Sequence, residues 1–333
     1  MASRSAHVGY LDGWRGIAIF MVLGGHFFQW PASRLGVEVF FVLSGFLMSQ
    51  VLFEWNISMG TFYKRRIARI FPTFYLFLAI MALWVLWTGG PFPVKEFSFN
   101  AAFLRAYMPA GPDAPKLELG HLWSLNVEEH SYIVLSLIAL GRRNGRFVKA
   151  GLVLCVVSSL LAYAFHWFYD SRPLTESAIF RSECAALPLV ASAAIRLWCK
   201  DGHERSLRFM FYSCVAVLVV SIVLSRKLGG NIALDYILKP LALARIVNSL
   251  GFSPLAVRRF LGMAWLRWLG VTSFSLYLWQ QPFFAGSLEG LLNPVLGLAI
   301  TIAVGAISYY GFEGPTRRFI RGLGEARPSS VTR

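Results

Sequence analysis

The first apolar segment of the chain carries two ionisable side chains whose spacing could support catalysis. Arg15 and His26 are eleven residues apart in a stretch that otherwise has the composition of a membrane helix. At a rise of 1.5 Å per residue they lie about 16 Å apart along the helix, roughly half the hydrocarbon thickness of a bilayer. Ionisable groups at that depth are costly and usually face a protein interior or an aqueous cavity. The pair therefore predicts a working site inside the membrane.

Three acidic residues are predicted at a depth similar to that of His26. Glu38 lies near the outer end of the second apolar segment, and Glu128 and Glu129 lie in the outer half of a later one. A histidine beside a carboxylate is a simple general base near neutral pH. Adjacent residues project about 100° apart on a helix, so one of Glu128 and Glu129 is expected to face the site. The alternative is a buried His26 that is satisfied by a neighbouring carbonyl group.

A cluster of arginines precedes the third apolar segment. Arg65, Arg66 and Arg69 lie within five residues, and the i, i+3 spacing places Arg66 and Arg69 on one helix face. Because arginine binds phosphate oxygens in a bidentate manner, these residues together with Arg15 suit a phosphorylated cofactor. The alternative is a basic anchor on anionic lipid, which is common for short basic loops.

The composition is that of an integral membrane protein. Of 333 residues, 56% are hydrophobic and 15% are charged, and the mean hydropathy is +0.56; soluble domains have about 25% charged residues. The net charge is +15, and the lysines and arginines cluster in short loops. This distribution follows the positive-inside rule of membrane proteins, so nucleic acid is not the expected partner. The four cysteines have no CxxC spacing and no HExxH motif occurs, so neither a disulfide framework nor a metal site is predicted.

The hydrophobic pattern predicts an all-α membrane bundle of about ten helices. The expected spans are 16–30, 36–54, 71–88, 122–140, 147–168, 178–198, 207–225, 232–250, 268–286 and 291–312. Lysine and arginine are concentrated in alternate loops, which places both termini in the cytoplasm. Residues 1–322 are expected to form one membrane domain, and residues 323–333 a disordered cytoplasmic tail. The Pro- and Gly-rich segment 89–120 is expected to form a structured lid or re-entrant piece.

Six sequence motifs, in order along nearly the whole chain, resemble the membrane-bound acyltransferase-3 family. They are Tyr10–Ala18 followed by His26, Gly36–Phe46, Arg65–Pro72, His121–Glu129, Ser273–Trp279 and Phe312–Arg317. Each motif alone is weak, but six in register are a specific signal. Three positions depart from the pattern that is usual in the family. Glu38 stands where aspartate is common, His130 where glutamine is frequent, and Gln280 where histidine is frequent.

The resemblance implies a ten-helix enzyme of the bacterial inner membrane that transfers an acyl group, commonly acetyl. The donor would be cytoplasmic acyl-CoA, and the acceptor a hydroxyl of a surface glycan or a glycolipid. It implies catalysis by His26 with Glu128 or Glu129. The acyl-CoA phosphates would contact Arg15, Arg65, Arg66 and Arg69. The candidate contacts to the acceptor are Asp12, Glu38, His121, Trp123, Ser124, Tyr277, Trp279 and Gln280.

Two other functions are compatible with the same residues. A proton-coupled transporter of glycolipid or polysaccharide could use His26 and the acidic residues as a proton relay, although no inverted repeat is evident. A non-catalytic scaffold could keep the fold without the chemistry. The retained Arg15 and His26 favour an enzyme, because buried ionisable groups have little other reason to persist in a membrane helix.

Overall fold

The computed structural model describes residues 9–89, 91–108, 119–169, 179–199, 204–230, 233–288 and 290–323, and within them the regular structure is entirely helical. The α-helices are α1 (Gly9–Phe28), α2 (Ser33–Ser49), α3 (Met59–Thr88), α4 (Val94–Ala101), α5 (Trp123–Leu140), α6 (Gly145–Tyr169), α7 (Ser182–Ala185), α8 (Leu187–Cys199), α9 (Glu204–Lys227), α10 (Lys239–Ser249), α11 (Leu255–Leu261), α12 (Ala264–Leu288), α13 (Pro294–Ser308) and α14 (Gly314–Gly322). Wider π-helical turns at Gln50–Glu54, Ala233–Leu238 and Tyr309–Glu313 extend α2, lead into α10 and join α13 to α14. Short 3₁₀ turns lie at Arg105–Tyr107, Gly120–Leu122 and Leu250–Phe252.

Helices occupy all ten stretches in which spans were predicted, but fewer are long and apolar enough to cross a membrane. Five described helices meet that condition, namely Ser33–Glu54, Met59–Thr88, Gly145–Phe168, Ser206–Lys227 and Pro294–Gly322. A sixth span is formed if Ala233–Phe252 and Leu255–Leu261, which are bent by 103°, are taken together. Ten crossings and cytoplasmic termini therefore stay predictions. Of the predicted tail, residues 324–333 lie outside the described part of the chain.

The helix that carries Arg15 and His26 packs against several neighbouring helices. Helix α1 packs most extensively against α12 and also against α2. Close approach depends on glycine, because a Cβ atom added at Gly13 would lie 1.7 Å from the Leu261 carbonyl oxygen, and one at Gly270 would lie 1.8 Å from that of Asp12. The indole Nε1 of Trp14 donates to the Val39 carbonyl at 3.1 Å and ties α1 to α2. Both faces of α1 are thus fixed in position.

Part of the segment predicted as a lid is ordered beside α3. Helix α4 packs against α3, and Asn100 donates its side-chain amide to the Glu96 carbonyl at 2.8 Å. The Glu96 carboxylate is buried 3.7 Å from the Arg105 guanidinium. Burial raises the pKa of Glu96, and Arg105 opposes that rise. Residues 90 and 109–118 of the predicted lid lie outside the described residues.

Candidate functional site

A cavity of about 750 Å³, part of it open to solvent, lies between helices α1, α2, α3, α5 and α12. Its polar lining consists of Arg15, Ser44, Arg66, Arg69, Ser124, Glu128, Tyr132, Ser273 and Tyr277. Helices α3 and α5 are antiparallel, because Tyr63 contacts Ser136 and Arg66 contacts Glu129. The contacts between helices therefore give the order of the lining residues along the cavity. Arg66 meets Glu128 on α5, and Ser124, one helical turn further, meets Tyr277 on α12. The cavity therefore has a cationic end and an end rich in hydroxyl groups.

Three of the four arginines predicted to bind a phosphorylated cofactor converge on this cavity. Arg15, Arg66 and Arg69 all line it, as the shared face of Arg66 and Arg69 predicts. Arg15 also pairs through Nη1 with the Asp12 carboxylate at 3.1 Å, so Asp12 supports the arginine from the same helix. Arg65 is exposed and does not line the cavity. One residue along a helix turns a side chain by about 100°, so Arg65 is directed away from the lining. Its contact with a cofactor stays a prediction.

The two glutamates predicted to orient His26 instead bind Arg66. The Arg66 Nη2 atom lies 3.1 Å from Glu128 Oε2 and 2.7 Å from Glu129 Oε1, and its Nε donates to Glu129 at 2.9 Å. Tyr132 donates to Glu128 at 2.9 Å and places its ring 3.7 Å from the guanidinium carbon, while Ser44 also donates to Glu128. Two carboxylates therefore neutralise Arg66, and of the two only Glu128 lines the cavity.

The hydrogen-bond partner of His26 is an amide. His26 Nδ1 lies 3.0 Å from Gln280 Oε1, and the imidazole stacks on Phe284 with ring centroids 4.7 Å apart. Gln280 is fully buried on α12. In this amide orientation Gln280 can only accept, so Nδ1 carries the proton and Nε2 keeps its lone pair. The expected carboxylate partner of His26 is therefore corrected to the Gln280 amide.

His26 lies beyond the cavity, which ends at a layer of hydrogen-bonded polar groups. Tyr277 precedes Gln280 by three residues on α12, about 4.5 Å along the helix. Its hydroxyl lies 2.7 Å from Ser124 Oγ and donates to the His121 carbonyl at 2.8 Å. The predicted acceptor contacts Ser124, Tyr277 and His121 are thus brought together at the end of the cavity that is nearest the level of the imidazole.

Two other predicted acceptor contacts lie in a smaller pocket. Glu38 and Trp123 line a space of about 260 Å³ together with Arg34 and Tyr163. Glu38 is buried and accepts from Arg34 Nε at 3.2 Å. Phe41 lines both this pocket and the larger cavity. The structure therefore separates Glu38 from His26, with which the sequence grouped it by depth.

Several lining residues were missed by the sequence analysis, and one predicted residue packs elsewhere. Ser44 and Tyr132 contact Glu128; the i, i+4 spacing of Tyr132 from Glu128 was an available signal. Trp279 is buried with its ring 5.2 Å from that of Phe77, outside the cavity lining. Among the described residues, no three His, Cys, Asp or Glu side chains form a group that could hold a metal ion.

Comparison with known proteins identifies relatives along almost the entire chain. The family model described as an acyltransferase domain matches residues 8–311. The chain is 26% identical to YrhL of Bacillus subtilis, whose name provisionally assigns it as a peptidoglycan O-acetyltransferase, over 92% of this chain and 54% of YrhL. It is 22% identical to the peptidoglycan O-acetyltransferase OatA of Listeria monocytogenes, over 94% of this chain and 56% of OatA.

A further relative is closer to this chain in length. BcsY of Komagataeibacter xylinus, whose name provisionally assigns it as a membrane-bound transacylase, is 23% identical over 90% of this chain and 80% of its own length. The chain thus spans about half the length of YrhL and OatA but most of BcsY. No solved structure gives a significant match.

Proposed function

The chain belongs to the acyltransferase family whose model covers residues 8–311, and we propose from that premise that it is an acyl-CoA-dependent O-acyltransferase of the bacterial inner membrane. The acyl group, acetyl in the simplest case, goes to a hydroxyl of a surface glycan or glycolipid. The name of the relative OatA, a peptidoglycan O-acetyltransferase, supports a carbohydrate acceptor. The observation that carries the proposal is the cavity with arginines at one end and hydroxyl groups near His26 at the other.

The donor enters the cavity at its cationic end. Arg15 and Arg69 line this end, and guanidinium groups bind phosphate oxygens strongly. Arg15 and Arg66 contribute less to phosphate binding than Arg69, because Asp12 pairs with Arg15, and Glu128 and Glu129 pair with Arg66. The pantetheine arm extends along the cavity and carries the thioester towards Ser124 and Tyr277.

His26 is the general base in the transfer step. Its Nε2 atom takes the proton of the acceptor hydroxyl as the oxygen attacks the thioester carbon. Gln280 accepts from Nδ1 and holds the required tautomer. The Ser124 and Tyr277 hydroxyls, once they release their hydrogen bonds to Tyr277 and to the His121 carbonyl, donate to the oxyanion of the tetrahedral intermediate. Collapse breaks the carbon–sulfur bond, and the imidazolium returns the proton to the departing CoA thiolate, so the base is regenerated.

The proposal is tested by following thiol release from acetyl-CoA with the purified full chain in nanodiscs, with and without a membrane glycolipid extract. We expect acceptor-stimulated release from the unaltered chain and a loss of about 10²-fold or more in His26→Gln, the usual contribution of a general base. His166→Gln is the matched control, since His166 lies on α6 and does not line the cavity.

Other outcomes separate the competing functions. A burst of thiol release without acceptor would indicate a covalent acyl-histidine intermediate in place of direct attack. The same rate in His26→Gln as in the unaltered chain would refute the role of His26. If no acyl-CoA is turned over while proton-driven glycolipid movement occurs in liposomes, the chain is a transporter and the proposed function is wrong.

A further inference from the structure

The last helix, α14, packs against the amino-terminal half of α3, close to the cationic end of the cavity. The ammonium group of Lys64 on α3 donates to the carbonyl of Leu323, just after α14. At the other end of α14, the buried Glu313 carboxylate accepts from Ser275 on α12 at 2.7 Å. Both ends of the helix are therefore held against α3 and α12, two of the helices that line the cavity.

Two pairs of arginines meet at this contact. Arg65 and Arg69 are four residues apart on α3, and Arg317 and Arg321 are four residues apart on α14. Each pair therefore shares one helix face. Arg321 lies close enough to interact electrostatically with the other three. Like charges at this spacing destabilise a helix by about 0.2–0.5 kcal/mol per pair, and the packing of α14 on α3 adds repulsion between the pairs.

The positive charge at this junction has little compensation from the protein. In the described part of the chain, none of these four arginines makes a hydrogen bond or an ion pair with a carboxylate. Glu313 is near Arg69 and Arg317, and Glu128 is near Arg69, but Glu313 accepts its hydrogen bond from Ser275 and Glu128 is held by Arg66. Arg66 is different, since two glutamates hold it at 2.7 and 3.1 Å. Four clustered arginines without an ion pair to a carboxylate, beside an arginine that is paired, are suited to binding an external anion.

We propose that Arg65, Arg69, Arg317 and Arg321 form a binding site for phosphate groups at the entrance of the cavity. Arg69 belongs to both the cluster and the cavity lining, so a phosphorylated ligand held here would extend directly into the cavity. The ligand class is a compound with several phosphates and a long uncharged arm, which describes an acyl-CoA. This assignment of the ligand rests on the proposed function, whereas the phosphate chemistry does not.

The helix α14 offers a matched control for the test. Arg318 is exposed on the same helix, and its Nε donates to the carbonyl of Gly314 within that helix. Arg317→Gln/Arg321→Gln removes two charges from the cluster, whereas Arg318→Gln removes a charge outside it. Binding of CoA, of adenosine 3′,5′-bisphosphate and of phosphate-free pantetheine is measured by calorimetry on the full chain in nanodiscs of zwitterionic lipid.

We expect the double variant to bind CoA and the bisphosphate at least tenfold more weakly than the unaltered chain does. Arg318→Gln should stay within twofold of it, and pantetheine binding should be the same in all three proteins. The affinity for CoA should also fall as salt is raised, and less steeply in the double variant. An equal loss in Arg318→Gln, or no loss in the double variant, overturns the proposal.

A second experiment separates the two sources of phosphate. Nanodiscs that contain anionic phospholipid are compared with zwitterionic ones, and bound lipid is measured after the protein is extracted. If the unaltered chain binds no nucleotide but retains anionic lipid in an Arg317- and Arg321-dependent manner, the site binds lipid phosphate and the acyl-CoA donor is wrong. If neither ligand depends on these arginines while thiol release persists, the site is refuted and the proposed function stands.

Discussion

Replacing Arg66 by methionine should destabilise the protein far more than replacing either of its acidic partners. The Arg66 guanidinium is buried and contacts Glu128 and Glu129 at 3.1 and 2.7 Å. Methionine keeps much of the apolar volume but leaves two carboxylates close together without a cation. Removal of one member of a buried ion pair typically costs about 3–5 kcal/mol, because the remaining charge is uncompensated.

The acidic partners are predicted to behave differently from the arginine. In Glu129→Gln, Arg66 keeps Glu128 as its counter-charge, and the glutamine oxygen can still accept a hydrogen bond. The expected cost is about 1 kcal/mol, the net value of one hydrogen bond. In the triple variant Arg66→Met/Glu128→Gln/Glu129→Gln no charge is stranded, so most of the stability lost in Arg66→Met should return.

Thermal unfolding of the purified variants in one detergent, followed by tryptophan fluorescence, measures this order. We expect Arg66→Met to have the lowest midpoint, with the triple variant between it and the unaltered chain and Glu129→Gln close to the unaltered chain. A triple variant that is less stable than Arg66→Met would refute the reasoning, because it would mean that the glutamates stabilise the fold without the arginine.

Two further predictions concern the position of His26. Gln280→Leu removes the hydrogen-bond acceptor of His26 Nδ1, so kcat should fall by up to tenfold, about the value of one hydrogen bond, while the KM for acyl-CoA stays unchanged. Gln280→His can still accept a hydrogen bond and should lose less activity. Equal losses of kcat in the two variants would contradict the positioning role of Gln280. Gly270→Ala places a methyl group 1.8 Å from the Asp12 carbonyl oxygen and should abolish accumulation of folded protein, whereas Gly311→Ala, with no atom within 4 Å, should accumulate normally on size-exclusion chromatography.

The sequence predicted well where each helix lies along the chain, but it placed Glu128 and Glu129 at the depth of His26, whereas both contact Arg66. Helical rise gives axial position directly, and i, i+3 spacing placed Arg66 and Arg69 together on the cavity wall. The span positions follow from hydrophobicity, which changes sharply at loops. These are local properties, so a single sequence contains them without knowledge of the packing.

The pairing of side chains across helices could not be predicted in the same way. Counting residues from the predicted helix ends placed His26 level with Glu128 and Glu129, but it gives neither the axial offset between packed helices nor the rotation of each helix about its axis. Glu128 and Glu129 turn to Arg66 on α3, and His26 meets Gln280 on α12. The number of membrane crossings could not be predicted from the sequence for a related reason. A helix such as α8 has 13 residues and is buried by its neighbours, so its length and hydrophobicity do not distinguish a span from a core helix.

The separation of His26 from the cavity constrains how acyl transfer can occur on the proposed route. Tyr277, hydrogen-bonded to Ser124 at 2.7 Å, lies between the thioester path and Gln280. A shift of α1 against α12 would be a costly way to open this layer, because the carbonyl of Asp12 packs directly on Gly270. Rotation of the Tyr277 side chain needs no helix shift, and it breaks the hydrogen bonds to Ser124 and the His121 carbonyl and the ring contact with His121. The hydroxyl layer that would stabilise the oxyanion is therefore also the simplest barrier between donor and acceptor, and its opening can be coupled to arrival of the thioester.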